Sequence, residues 1–66
     1  MENDFGDRLK SLRLSRGLTQ SDVADVMNVN VVTVCHWEKS KQEPCLDDLK
    51  KLCDYFDITS NELLGF

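Results

Sequence analysis

Cys35 and His36 stand side by side, a thiol and an imidazole, and they are the first place to look for chemistry in this chain. A thiolate–imidazole relay requires the two side chains to meet. On a helix, consecutive residues diverge by about 100°, so these two cannot act on one another. Three cysteines, Cys35, Cys45 and Cys53, cannot all pair within one chain, and none stands at C-x-x-C spacing. The single histidine lies next to Cys35 rather than at ligand spacing. The expectation is reduced thiols in a reducing compartment, with no metal site and no cofactor. A redox role for Cys35 would need exposure and a lowered pKa, and only His36 is placed to favour it. There is no Ser-His-Asp set and no Gly-rich phosphate loop, and 66 residues are too few to build a pocket that desolvates a substrate. These features argue against an enzyme and leave recognition.

The elements that must position these residues run from Thr19 to Lys39. Thr19 is an N-cap candidate, because its hydroxyl can accept the orphan N–H groups of a first turn. Val23, Ala24 and Met27 then fall on one helical stripe. Asn28-Val29-Asn30 interrupts it: Asn tolerates the left-handed conformation that stops a helix, and Asn30 is a second N-cap candidate. A second helix is expected from Val31 to Lys39. Two short helices across a three-residue turn have the spacing of a helix-turn-helix. On the second helix Val34 and Trp37 share one side, with Thr33 beside them. Val31, Val32, Cys35, His36 and Lys39 share the other, within roughly 140° of arc. An aromatic of Trp's size belongs against the other helices, so the Val31/Val32/His36 face must look outward.

Further residues join this pattern: Leu18-Thr19-Gln20, Ala24 four residues after the Gln, Val34-Cys35-His36-Trp37-Glu38, and the turn Lys41-Gln42-Glu43-Pro44. As an ordered set they resemble the lambda-repressor-like helix-turn-helix family, bacterial and phage DNA-binding regulators with a five-helix domain. The resemblance covers about residues 5 to 65. The chain departs from it where the family usually has Gly (Asn28 and Ser40) and where it has Ser (Cys35).

The resemblance implies sequence-specific binding of double-stranded DNA, with helix 31–39 in the major groove of a palindromic operator. It implies a phosphate contact for Gln20, and the position of Asn30, Lys39, Lys41 and Gln42 around the reading helix suits phosphate as well. Val31 and Val32 offer methyl groups to thymine C5-methyls, and His36 can donate to guanine or accept from another base edge; Cys35 completes the reading surface. Glu38, beside an inward Trp, is expected to be partly buried and so to need a partner. Arg13 lies just off the inward stripe of helix one, and in the family an Arg there often pairs with the Glu after the aromatic; a solvated Glu38 is the alternative. A protein-binding module on the same fold is the second functional reading, favoured by the valine patch and by the charge.

That charge is −4, from 8 basic and 12 acidic residues. It is unevenly spread. Residues 1–19 balance at +1, residues 20–44 at −2 and residues 45–66 at −3. Most of the excess acid thus lies in the last third, which in the resembled fold faces away from the duplex. The strongly basic footprint of a nucleic-acid binder is missing, so weak non-specific affinity is expected. No stretch is long and apolar enough to span a membrane, and the start lacks a signal peptide's pattern, so a cytoplasmic protein is expected.

The remaining elements complete an all-α, single-domain reading. Helix one is expected from about Asp4 to Arg16, with Phe5, Leu9 and Leu12 inward, Leu14 exposed, Arg16 suiting its C-terminal dipole, and Gly17 as a left-handed stop. Leu18 packs inward. Pro44 stands near the start of helix four, about Leu46 to Phe56, with Leu46, Leu49, Leu52, Cys53 and Phe56 inward. Ile58 is a core plug. Thr59 or Ser60 caps a short helix, Asn61 to Leu64; counted from Ser60, the reciprocal position is Leu63, which cannot complete a capping box. Ile58, Leu64 and Phe66 offer apolar area for a weak homodimer.

Overall fold

Each of the first four helices stops in the same way, and the stops set the course of the chain. The computed structural model describes residues 5–64, with α1 Phe5–Ser15, α2 Gln20–Met27, α3 Val31–Glu38, α4 Leu46–Phe56 and α5 Ser60–Leu64. Asp4 and Phe66 lie outside the described residues, as does the side chain of Leu64. A helix ends with carbonyls that have lost their partners. Here they are met by paired backbone bonds around one residue of positive φ: Gly17 (69°), Asn28 (59°), Ser40 (59°) and Asp57 (57°). The N–H of the following residue reaches back five positions each time: Leu18 to Arg13 O (3.0 Å), Val29 to Ala24 O (3.0 Å), Lys41 to His36 O (2.9 Å) and Ile58 to Cys53 O (3.0 Å). This is the Schellman arrangement, which is commonly accompanied by an apolar contact from that following residue. Leu18, Val29 and Ile58 supply it, all packed against the core. Lys41 does not; it is exposed, and there the chain turns outward into the loop before α4.

The positive φ at Asn28 and Ser40 accounts for the two departures from Gly. Only Gly takes this conformation freely, and an ordinary L-residue there costs roughly 1–2 kcal/mol, with Asn and Asp better tolerated. Ser40 is therefore the more strained of the two.

The starts of α2, α4 and α5 are capped by side chains. Thr19 and Asp22 form a capping box, Asp22 N–H donating to Thr19 Oγ1 (3.0 Å) and Thr19 N–H to Asp22 Oδ2 (2.9 Å). Thr59 and Glu62 form another, at 3.1 Å in both directions. Of the two expected caps, Thr59 and Ser60, it is Thr59 that caps the helix, with Glu62 at the reciprocal position, and α5 begins at Ser60. Cys45 caps α4, its N–H donating to Asp48 Oδ2 (3.4 Å).

Leu9, Val23, Ala24, Met27, Val34, Trp37, Leu52, Phe56 and Leu63 form the buried core. Phe5, Leu12, Leu18, Val29, Leu49, Cys53 and Ile58 pack on its rim. Leu46 corrects the expected inward stripe of α4: it is 73% exposed. On a helical wheel it lies about 120° from the buried Leu52, beyond the half-buried Cys53, and it opens the helix where no earlier turn can cover it. Arg16 is also differently employed. Its Nη2 donates to Phe56 O (2.7 Å) and its guanidinium lies over the Phe56 ring, 5.4 Å from the centroid. It thereby closes the end of α4 rather than only that of α1.

Gly6 fixes how α1 meets α3. A Cβ there would collide with the backbone oxygen of Glu38 and lie 2.7 Å from that of Trp37. The first turn of α1 thus sits directly on the last turn of α3, and the absent side chain permits it.

Candidate nucleic-acid interface

α3 is held by its inner side. Val34 and Trp37 are fully buried on the side of α3 that packs against α1 and α2, and Glu38 is buried with them. The outer edge follows from the same periodicity: Val31 is 41% and Val32 57% exposed, Cys35 and His36 are half-buried, and Lys39 is exposed as the C-cap. The residues expected to read bases therefore share one outward edge, with Thr33 half-buried between the two sides.

Glu38 and Arg13 meet. Arg13 Nε donates to Glu38 Oε2 at 2.7 Å and Nη2 to Oε1 at 3.1 Å, a two-pronged charge-assisted contact. Both residues are 8% exposed. Arg13 Nη1 donates to Leu18 O (2.9 Å), so one guanidinium joins the end of α1, the α1–α2 turn and the end of α3. The bond to Glu38 raises the Arg13 pKa further above its usual value, outweighing the opposing effect of burial. Gln20, the first residue of α2, donates from Nε2 to Glu38 Oε1 at 3.1 Å. Gln20, for which the resemblance implies a phosphate contact, is thereby tied to the ion pair as well.

Around this pair lies an open depression of about 630 Å³, lined in part by Gln20, Ser21, Leu14 and Val31. Gln20 and Val31, from different helices, are thus brought to one surface. Leu14, 58% exposed, and Ser21 belong to it too, and sequence reasoning gave neither a role. The only signal for Leu14 was its place opposite the inward stripe of α1.

Asn30 occupies the N-cap of α3 with extended backbone (φ −72°, ψ 148°), but its side chain makes no capping bond. Unlike Thr19 and Thr59, it leaves that end of its helix without a side-chain acceptor. Lys39 and Lys41 are exposed after α3. Gln42 is exposed as well but borders a different crevice of about 310 Å³, shared with Phe5, Trp37 and Pro44, so it is not gathered with Gln20 and Val31.

The three thiols are free. Burial, assisted by the Asp54 charge, pushes the Cys53 thiol up, which keeps it protonated at neutral pH. Among the described residues no group of three or more His, Cys, Asp or Glu side chains is placed to hold a metal ion. No described helix is long and apolar enough to cross a membrane.

The five helices of the described residues, with a helix-turn-helix pair whose second member is exposed along one edge, define a DNA-binding-type fold. The Helix-turn-helix family model matches residues 9–63, and the chain belongs to that family. It is similar to the HTH-type transcriptional activator BcrR of Enterococcus faecalis, 33% identical over 62 residues, which cover 94% of this chain and 30% of the activator. Among solved structures it resembles the restriction-modification controller protein C.AhdI of Aeromonas hydrophila, 32% identical with a TM-score of 0.83 over 91% of each chain. It also resembles SinR, a master regulator for biofilm formation whose structure was solved in complex with DNA, 25% identical with a TM-score of 0.80 over 89% of this chain and 95% of that one. The chain spans 30% of BcrR and 48% and 55% of two further curated relatives, ImmR of Bacillus subtilis and the repressor RstR of Vibrio cholerae.

Proposed function

We propose that this chain binds double-stranded DNA sequence-specifically as a transcriptional regulator of repressor type, laying α3 in the major groove. The observation that carries this is the outer edge of α3. Val31 and Val32 are exposed on a helix whose other side is fully buried, and no other described element covers them. In a helix-turn-helix, that edge is the one that meets base edges. Val31 and Val32 supply methyl contacts to thymine, His36 a hydrogen bond, and Cys35 the rim of the surface. Gln20, Asn30, Lys39 and Lys41 surround it and position the backbone of the duplex, with Gln42 further out. The uncapped start of α3 adds N–H groups that favour an anion. The relatives' names support the same reading, and such a regulator works in the cytoplasm.

The charge of −4 limits the non-specific term, which rests on counterion release by cations. Few cationic contacts and a reading helix of 8 residues fit one half-site. Binding at roughly 10⁻⁸ M needs more interface than such a module supplies alone. Two copies on a palindromic operator double the contacts, with half-sites about 34 Å apart. The C-terminal region is the proposed meeting surface. Ile58 there is already half-buried against the core, so any free dimer is weak and DNA promotes pairing.

Binding to a library of genomic fragments, measured at two salt concentrations, tests this reading. A small set of fragments should stay bound at the higher salt. Uniform, salt-sensitive binding to all fragments would contradict it.

A further inference from the structure

We infer that Glu38, held by Arg13, is a positioning residue for the DNA contact made by Gln20, an inference that rests on the proposed function. Glu38 Oε1 accepts from both Arg13 Nη2 (3.1 Å) and Gln20 Nε2 (3.1 Å). An amide has two chemically different ends, and only the NH₂ end can face a carboxylate; the carbonyl end would set lone pairs against lone pairs. Glu38 therefore fixes which way round the Gln20 amide stands. One N–H is committed to the carboxylate. The second N–H remains on the side chain of a residue that opens α2 and lines the surface depression with Val31. That N–H is the donor a phosphodiester oxygen takes up.

The ion pair also solves a charge problem. A bare carboxylate one hydrogen bond behind the contact would repel the phosphate. Arg13, engaged at 2.7 and 3.1 Å, offsets that charge locally. Because Arg13 also holds Leu18 O (2.9 Å), the same guanidinium fixes the turn from which α2 starts. The donor on α2 and the reading edge on α3 are thus set relative to each other by one cluster of Arg13, Glu38 and Gln20, and not by backbone alone. Preorganising a side chain in this way removes part of the ordering cost of binding.

The test has one part without DNA and one with it. In the free wild-type chain, the side-chain NH₂ of Gln20 should exchange with water more slowly than that of the exposed Gln42, and its two protons should be well separated by NMR. Equal exchange for both glutamines would overturn the inference. With a selected operator, Gln20→Ala should lower the affinity about tenfold, as loss of a bond to a charged group does. In an Arg13→Met/Glu38→Leu background, which leaves no acceptor facing the Gln20 amide and is checked as folded by circular dichroism, the same change should cost less than about twofold. If Gln20→Ala costs tenfold in both backgrounds, the amide needs no positioning and the inference fails while the DNA reading stands. If Gln20→Ala, Val32→Ala and His36→Ala all leave the affinity unchanged, the DNA reading fails and takes the inference with it.

Discussion

The two sides of α3 reverse the usual distribution of polarity in opposite senses. Its inner end buries a carboxylate, Glu38 at 8% exposed, while its outer edge leaves Val31 at 41% and Val32 at 57% exposed. The inner reversal is compensated within the molecule. Arg13 meets Glu38 with two bonds and Gln20 adds a third. The outer reversal has no such answer among the described residues, which leave both valines exposed. Local rules are broken at sites that serve a function, and where the compensation is not internal it is sought in a partner. One helix thus shows both kinds of exception, one structural and one directed outward.

The inner side should break hardest. Glu38→Ala strands the Arg13 guanidinium in a nearly closed site and should destabilise the fold by about 3–5 kcal/mol. Urea unfolding of Glu38→Ala, Arg13→Ala and the double variant should show coupling, with the double variant losing less than the sum. Strictly additive losses would mean that the contact carries no energy. Gly6→Ala attacks the same end of α3 from the opposite direction, pushing a methyl group into the carbonyls of Trp37 and Glu38. Overpacking of this kind costs about 1–3 kcal/mol. A melting temperature equal to wild type would show that α1 and α3 slide apart freely.

A smaller effect sharpens the contrast by leaving α3 alone. Thr59→Ala removes the cap of α5 and should cost about 1 kcal/mol in thermal or urea unfolding. Operator preference should stay as in wild type, because the Thr59–Glu62 box lies at the start of α5 and not on the outer edge of α3. A shift in preferred bases would connect α5 to recognition and blur the division between the sides of α3. On the outer edge itself, Val32→Ala should change stability by no more than about 0.5 kcal/mol, as expected for a surface position away from caps and core.

The sequence carried much of this arrangement because its signals were local. Gly17 and Asn28 mark left-handed stops by residue type, and Trp37 declares the inner side of α3 by size. Arg13 and Glu38 are 25 residues apart, and only the family resemblance linked them. Gln20 was read as pointing to phosphate, but its bond to Glu38 depends on how α2 and α3 close on each other, which periodicity does not encode. Leu46 was misplaced because its spacing matches Leu49 and Cys53, while burial at a helix start depends on what lies beyond its end. Gly6 carried a tertiary message in a residue with no side chain to announce it. The Thr59–Glu62 box was legible, at a spacing of three, but was counted from the wrong hydroxyl.

The central claim is that the outer edge of α3 reads bases while its surroundings hold the backbone, and binding-site selection tests it most directly. Selections with Val32→Ala and His36→Ala should each change the preferred base at one position, by about 1–3 kcal/mol of discrimination. Selection with Lys41→Ala should return the wild-type sequence, with weaker binding at every site and a salt slope lower by about one. The same preferred sequence from all three variants would contradict the account.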